Sequence, residues 1–136
     1  MKFQIFKAKE NPFGYWEKRA KKYGRRSVYN MGHSVEELSK VDEWQEEIYL
    51  DAIKPFLSGN EATALYFGCG CGRFEPMLSK IAKKVYAIDP IKRLIKLASK
   101  INKVEYKLFN GTNIPLEDNS IDFVFISLAM GGGYTM

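Results

Sequence analysis

Apolar residues along the first sixty positions recur every three or four residues, the spacing that places them on one face of a helix. Asn11-Pro12 predicts the start of a first helix, which Gly24 ends. The segment from Ser34 to Glu37 has the form of a capping box, in which each side chain satisfies a backbone N–H group of the other residue. A longer amphipathic helix follows, with apolar positions at Val41, Trp44, Ile48, Ala52, Ile53 and Phe56.

Short apolar runs alternate with stretches of helical spacing from residue 62 onward. The predicted strands cover residues 62–67, 85–88, 104–109 and 121–128, and the predicted helices cover residues 73–82 and 91–98. Strands that alternate with helices through short links form a parallel sheet with right-handed crossovers. The pattern therefore predicts an α/β fold over residues 61–136, with residues 1–60 as an N-terminal helical extension.

Composition and charge restrict the class of protein further. The hydrophobic content is 46%, and no apolar run approaches the roughly 20 residues that span a bilayer, so we expect a soluble globular protein with no membrane partner. The net charge is +5, and residues 1–30 carry nine Lys or Arg against two Glu. Such a basic arm is able to contact nucleic acid, although a solvated helix face is the ordinary explanation.

Three glycines at alternate positions, Gly68, Gly70 and Gly72, stand between a predicted strand and a predicted helix. Glycines in this place let the chain turn sharply and bring bare backbone close to a ligand. Asp89 closes the next predicted strand, where a carboxylate accepts hydrogen bonds from both hydroxyls of a ribose. The loop and the acid together indicate a ligand of the adenosine type.

NAD and S-adenosylmethionine both meet that description. The dinucleotide fingerprint Gly-x-Gly-x-x-Gly requires a third glycine at position 73, where this chain has Arg73. Cys69 and Cys71 lie inside the loop, and they have neither the spacing nor the partners of a zinc site, so we expect no metal. Two cysteines also provide no disulfide framework, so we expect a cytoplasmic protein in a reducing compartment.

Three motifs resemble those of class I (Rossmann-like) S-adenosylmethionine-dependent methyltransferases, in particular the methyltransferase type 11, or UbiE-like, group. Residues 64–72, Ala-Leu-Tyr-Phe-Gly-Cys-Gly-Cys-Gly, are similar to the family's first motif. Residues 86–89, Tyr-Ala-Ile-Asp, are similar to its second motif, and residues 114–124 resemble the Leu-Pro-Phe-x-Asp-Asn-Ser-Phe-Asp-x-Val segment that leads into the fourth strand. The order and spacing of the motifs also match.

The resemblance implies a Rossmann-like sheet that binds S-adenosylmethionine, with the N-terminal helices as a lid. It further implies that Asp89 holds the ribose, that Asn110 and Gly111 meet the adenine, and that the carbonyl near Ser127 faces the methionine amine. The cofactor-binding residues expected on this basis are Gly68, Cys69, Gly70, Gly72, Asp89, Asn110, Gly111 and Ser127. The resemblance points to no catalytic residue.

Plainer explanations stand beside these roles. The glycines form turns in any case, Asp89 before Pro90 is a suitable helix N-cap, and Asn110-Gly111 is a common turn pair. The sequence has a single histidine, His33, for which a surface or packing role is the default. For a lid, the residues to consider are Tyr15, Trp16 and Arg19, which no motif identifies.

The sequence departs from the family pattern at two places. Tyr66 stands where relatives usually have an acid that organises the amino end of the cofactor. The family's sheet has seven strands, whereas this sequence predicts four, so we expect a sheet that is incomplete after the fourth strand. The apolar edge of strand 121–128 is then exposed and favours pairing with another chain. We therefore expect a homo-oligomer that covers this edge.

The leading hypothesis for function is methyl transfer from S-adenosylmethionine to an unknown acceptor. Such chemistry depends mainly on proximity and alignment, which suits a sequence with a cofactor loop and no evident catalytic pair. The alternative is a non-catalytic cofactor-binding module or an inactive methyltransferase fragment. A nicotinamide dehydrogenase, which Arg73 disfavours, and a nucleic-acid-binding protein with RNA as the methyl acceptor are further hypotheses.

Overall fold

The computed structural model describes residues 12–57 and 59–129. The N-terminal part consists of helix α1, Pro12–Tyr23, a 3-10 turn at Gly24–Val28, and helix α2, Val35–Ile53, which a second 3-10 turn, Lys54–Phe56, extends. The capping box that the sequence predicts is present, because Ser34 accepts from the N–H of Glu37 and the Glu37 carboxylate accepts from the N–H of Ser34. The predicted start at Asn11 lies outside the described residues.

Strands and helices then alternate as expected. The elements are β1 (Thr63–Phe67), α3 (Glu75–Ile81), β2 (Lys84–Asp89), α4 (Lys92–Leu97), β3 (Val104–Leu108) and β4 (Phe123–Ile126). All the strand pairs are parallel, and the order across the sheet is β3-β2-β1-β4. This is the predicted Rossmann-like α/β fold. β4 is shorter than the predicted strand by two residues at each end.

The core lies on both faces of the sheet. On one face, α2 and α3 cover the strands, and an aromatic cluster of Tyr49, Tyr66, Phe74 and Phe125 lies there. Four of its ring pairs meet edge to face with centroids 5.1–5.8 Å apart, and the Tyr66 and Phe74 rings are tilted at 6.3 Å. The other face buries Leu65, Ile88 and Phe109 under the segment that precedes β4. A third cluster joins α1 to α4 through the buried residues Ala20, Cys71, Ile91 and Leu94. Helix α1 is thereby fixed next to the glycine loop.

Candidate functional site

The glycine loop that follows β1 crosses over the end of β2. The N–H groups of Gly68 and Cys69 both donate to the carbonyl of Ile88, over 2.9 and 3.0 Å. Gly68, Gly70 and Gly72 have φ angles of 70°, 57° and 83°. A side chain is strained at these angles, and a Cβ on Gly68 would lie 2.3 Å from the Cβ of Ala129. The alternate glycines are therefore required by this turn.

Asp89 ties the glycine loop to the segment that begins α4. One carboxylate oxygen accepts from the N–H of Gly70 over 2.9 Å, and the other accepts from the N–H of Ile91 over 2.8 Å. The side chain is 6% exposed, and this burial raises the pKa of Asp89 while the two backbone hydrogen bonds act in the opposite direction. The carboxylate therefore has a local structural function, and its oxygens keep lone pairs for a ligand.

A cavity of about 340 Å³ lies at the carboxyl ends of β1, β2 and β4. This is where ligands bind in open parallel sheets. It is lined by Phe13, Trp16, Val28, Tyr66, Phe67, Gly68, Cys69, Gly70, Arg73, Phe74, Asp89, Pro90, Ile91, Leu94, Gly111, Ser127, Leu128 and Ala129. Six of the eight residues that the sequence nominates for cofactor binding line this cavity: Gly68, Cys69, Gly70, Asp89, Gly111 and Ser127.

The other two nominated residues, Gly72 and Asn110, are not among the lining residues. Gly72 is buried beneath the loop, where a Cβ would meet Ala98 and the carboxylate of Glu75. Asn110 is exposed, and its side-chain oxygen accepts from the N–H groups of Thr112 and Asn113 over 2.9 and 2.8 Å. This is the turn role that its sequence context also allows.

The N-terminal helix and the 3-10 turn that follows it contribute apolar residues that no sequence motif identified. Phe13, Trp16 and Val28 line the cavity. Phe13 lies so close to Gly111 that a Cβ on Gly111 would be 2.8 Å from the Phe13 ring. Arg19 donates to the carbonyls of Ser27 and Tyr29 and so holds the 3-10 segment in place. The sequence signals were the family resemblance, which suggested Trp16 for a lid, and the three-residue spacing that places Phe13 on the same helix face. Of the three residues considered for a lid, only Trp16 lines the cavity.

The end of β4 forms the wall opposite Asp89. The hydroxyl groups of Ser127 and Tyr49 lie 2.9 Å apart, within hydrogen-bond distance. Leu128, which follows, has a φ angle of 58°, an uncommon conformation for a leucine and one that costs about 1–3 kcal/mol. Strain of this kind persists only where the surrounding structure imposes it, and here it occurs next to the cavity.

Residues 65–131 match a family model described as a methyltransferase domain. This segment, about half of the chain, is therefore assigned to that family. It is 33% identical to phosphoethanolamine N-methyltransferase 1 of Triticum aestivum, in a match that covers 85% of this chain and 25% of the relative. The chain thus spans about a quarter of the length of the curated relatives it matches.

Solved methyltransferase structures share the fold. The Haemonchus contortus phosphoethanolamine N-methyltransferase 1, solved with phosphoethanolamine and S-adenosylhomocysteine, matches with a TM-score of 0.64 and 20% identity, over 85% of this chain and 24% of that one. A SAM-dependent methyltransferase from Aquifex aeolicus matches with a TM-score of 0.52 and 33% identity, over 56% of this chain and 45% of that one. The parallel sheet and its helices therefore have the fold seen in these methyltransferases.

Burial keeps the two thiols of the glycine loop and the phenol of Tyr66 in their neutral forms. Burial raises the pKa of the Cys69 thiol well above its usual range and also raises the pKa of Cys71. Burial likewise raises the pKa of Tyr66, which packs between the rings of Phe74 and Phe125 at the position where the family resemblance led us to expect an acid. Within residues 12–57 and 59–129, no cluster of three or more His, Cys, Asp or Glu side chains could hold a metal ion. No helix in these ranges is both long and apolar enough to span a membrane.

Proposed function

We propose that this chain binds S-adenosylmethionine in the cavity and presents its methyl group to an acceptor. The observation that carries the proposal is the position of Asp89: a buried carboxylate, fixed by Gly70 and Ile91, at the cavity edge next to a glycine loop with bare backbone. A ribose needs such a bidentate acceptor, and an adenosine needs such a close approach of the main chain. The family match and the shared fold support the same ligand.

The roles of individual residues follow from their places around the cavity. Asp89 holds the ribose hydroxyls, Gly111 faces the adenine, and the glycine loop accommodates the methionine portion. The backbone at Ser127, on the opposite wall, accepts from the methionine amine. Asn110 is a weaker candidate, because its side-chain oxygen already accepts two backbone hydrogen bonds.

The chemistry of the transfer places modest demands on the chain. Bound S-adenosylmethionine would supply a methyl group on a positively charged sulfur. When the carbon–sulfur bond breaks, the sulfur keeps the bonding electrons and becomes a neutral thioether. The lone pair of the acceptor forms the new bond to carbon from the opposite side. The chain contributes alignment and exclusion of water through the largely apolar cavity wall, and a neutral amine acceptor requires no base. Among the described lining residues, Asp89 is the only carboxylate and none is a histidine.

Isothermal titration of the whole 136-residue chain with S-adenosylhomocysteine tests the cofactor assignment. We expect saturable binding of one ligand per chain, no binding of NAD, and a loss of at least about 100-fold in affinity for Asp89→Ala. Asp118→Ala, which changes an exposed acid in a turn, is the matched control and should bind like the wild type. Undiminished affinity in Asp89→Ala would refute the site.

For the acceptor, we propose a small amine, and the first compound to test is phosphoethanolamine, because the curated relatives carry that substrate in their names. Transfer of a labelled methyl group to phosphoethanolamine supports this proposal. Tight binding of the cofactor without transfer to any of a panel of amines would instead favour the second candidate, a cofactor-binding module without activity of its own.

A further inference from the structure

Arg73, which follows the glycine loop, is held in one orientation by four neighbours. Its Nε donates to Asp42 over 3.1 Å, and its Nη2 donates to the same Asp42 oxygen and to Gln45, over 2.7 Å in the latter case. The guanidinium lies over the ring of Tyr29, with the ring centroid 4.5 Å away, and over that of Phe74 at 4.8 Å. The side chain is 9% exposed. A cation this constrained is preorganised to bind an anion.

The Nη1 group of Arg73 is the donor that remains available. Among the described residues, Nη1 makes no hydrogen bond. The buried side-chain atoms that lack a hydrogen-bond partner there belong to Arg26 and Glu75, so the unbonded Nη1 is not one of the fully buried atoms. It therefore has surface that a ligand can reach. Arg73 and Asp89 are the only charged residues among those that line the cavity in the described part of the chain.

Arg73 and Asp89 lie on opposite sides of the central strand β1, Asp89 toward β2 and Arg73 toward β4. Asp89 ends β2, on one side of the central strand β1. Arg73 is bound to helix α2, and that helix reaches the strand on the other side of β1, since Tyr49 contacts Phe125 and Ser127. A ligand whose ribose lies on Asp89 and whose chain crosses the glycine loop therefore extends toward the guanidinium.

We propose that Arg73 binds the carboxylate of the methionine portion of the cofactor through Nη1. This inference rests on the proposed function, since it assigns the second end of the same ligand. The chemistry is matched at both ends of the cavity: a carboxylate for the ribose hydroxyls and a guanidinium for the ligand's one carboxylate. Asp42 acts as a positioning residue, because it holds two of the three guanidinium nitrogens and leaves the third for the ligand. The ordinary alternative is that the ion pair only fastens α2 to the loop.

A double-mutant cycle of binding affinities tests the assignment. One change removes the carboxylate from the ligand, and the other removes the guanidinium from the protein. The ligands are S-adenosylhomocysteine and its decarboxylated analogue, which keeps the amine, and the proteins are the wild type and Arg73→Met. We expect the wild type to bind the analogue about 10- to 100-fold more weakly than S-adenosylhomocysteine. Arg73→Met should lose the same factor for S-adenosylhomocysteine and nothing further for the analogue.

The outcomes separate the two proposals. If the wild type binds neither ligand, both the proposed function and the role of Arg73 are overturned. If the wild type binds both ligands equally, the role of Arg73 alone is overturned, and this result does not depend on whether Arg73→Met folds. An equal loss for both ligands in Arg73→Met, with folding verified by circular dichroism, overturns the role of Arg73 and identifies the ion pair as structural. Asp42→Asn should show a smaller loss that is again confined to S-adenosylhomocysteine.

Discussion

At the scale of single residues, the carboxyl group of Glu75 has the most unusual environment. Glu75 is the first residue of α3 and is fully buried, and both of its oxygens are among the described buried atoms without a hydrogen-bond partner. Burial raises the pKa of Glu75 from 4.5 to about 7, although nearby backbone N–H groups and the Cys69 thiol act in the opposite direction. Glu75 therefore takes up a proton more readily in the folded chain than in the unfolded one.

The stability of the chain should consequently fall as the pH rises from about 4.5 to about 7. In this window the folded state binds more protons than the unfolded state, so the free energy of unfolding decreases with pH. The contribution of this one group is on the order of 3 kcal/mol. Urea unfolding at about pH 5 and about pH 8 measures this contribution. In Glu75→Gln, the slope of the free energy of unfolding against pH should decrease by the equivalent of about one bound proton. The exposed Glu117→Gln is the control, and an equally steep profile in Glu75→Gln would contradict the prediction.

At the scale of elements, the glycine loop joins β1 to α3 through three residues with positive φ angles. Gly72 combines this backbone conformation with close packing: a Cβ would lie 3.1 Å from the Cβ of Ala98 and 3.2 Å from a carboxylate oxygen of Glu75. Gly24, the first residue of the first 3-10 turn, also has a positive φ angle, but apart from its chain neighbours no heavy atom of the described residues lies within 4 Å of a Cβ placed there. A side chain at Gly24 would therefore add backbone strain alone, whereas a side chain at Gly72 would add both strain and steric overlap.

We expect Gly72→Ala to lower the free energy of unfolding by about 2–4 kcal/mol, and Gly24→Ala by about 1 kcal/mol, because only the first adds overlap to strain. Chemical denaturation of both variants gives the comparison. Similar losses in the two variants would show that the packing around Gly72 relaxes to accept a methyl group.

At the scale of the whole molecule, the two edges of the sheet differ in character. The β3 edge carries ion pairs in which Glu105 contacts Lys84 at 2.7 Å and Lys107 at 3.1 Å. The β4 edge instead exposes the apolar side chains of Val124, at 53%, and Ile126, at 42%. Charged edges resist pairing with another strand, whereas apolar edges favour it.

The 136-residue chain is therefore expected to form a homo-oligomer through the β4 edge, as the sequence also predicts. Light scattering at micromolar concentration should show a mass above that of one chain. Val124→Lys should shift the population toward the monomer, whereas Leu108→Lys, at an exposed apolar position of the β3 edge, should leave it unchanged. A monomeric wild type would refute this assembly.

The predicted elements were confirmed where a local rule applies. Ser34 and Glu37 form the capping box, Gly24 follows the last residue of α1, and the alternate glycines form the tight turn. The pattern was less accurate for β4, which is shorter than the apolar run that predicted it. Pairing with β1 determines the length of this strand, and a pattern along one segment carries no information on its partner.

The candidate site was predicted unevenly for the same reason. Asp89 and the loop glycines could be found because the turn and the adjacent strand end impose their residue types. Phe13 and Val28 could not, because they reach the cavity through the docking of α1 and the 3-10 segment against α4 and the loop. In the sequence, Arg73 was noted only as the residue that disfavours the dinucleotide fingerprint. The packing of α2 gives Arg73 its neighbours Asp42 and Gln45.

By itself, the sequence determined the class of fold, the order of its elements and the place of the glycine loop, because these depend on hydrophobic spacing and on the backbone freedom of glycine. Only the tertiary structure decided which residues share the cavity. It also decided that the Glu75 carboxylate oxygens are buried without a hydrogen-bond partner among the described residues, and that Arg73 and Asp89 are the charged residues that line the cavity in that part of the chain. The physical reason is that burial and the pairing of charges arise between segments distant in sequence, and packing sets their distances.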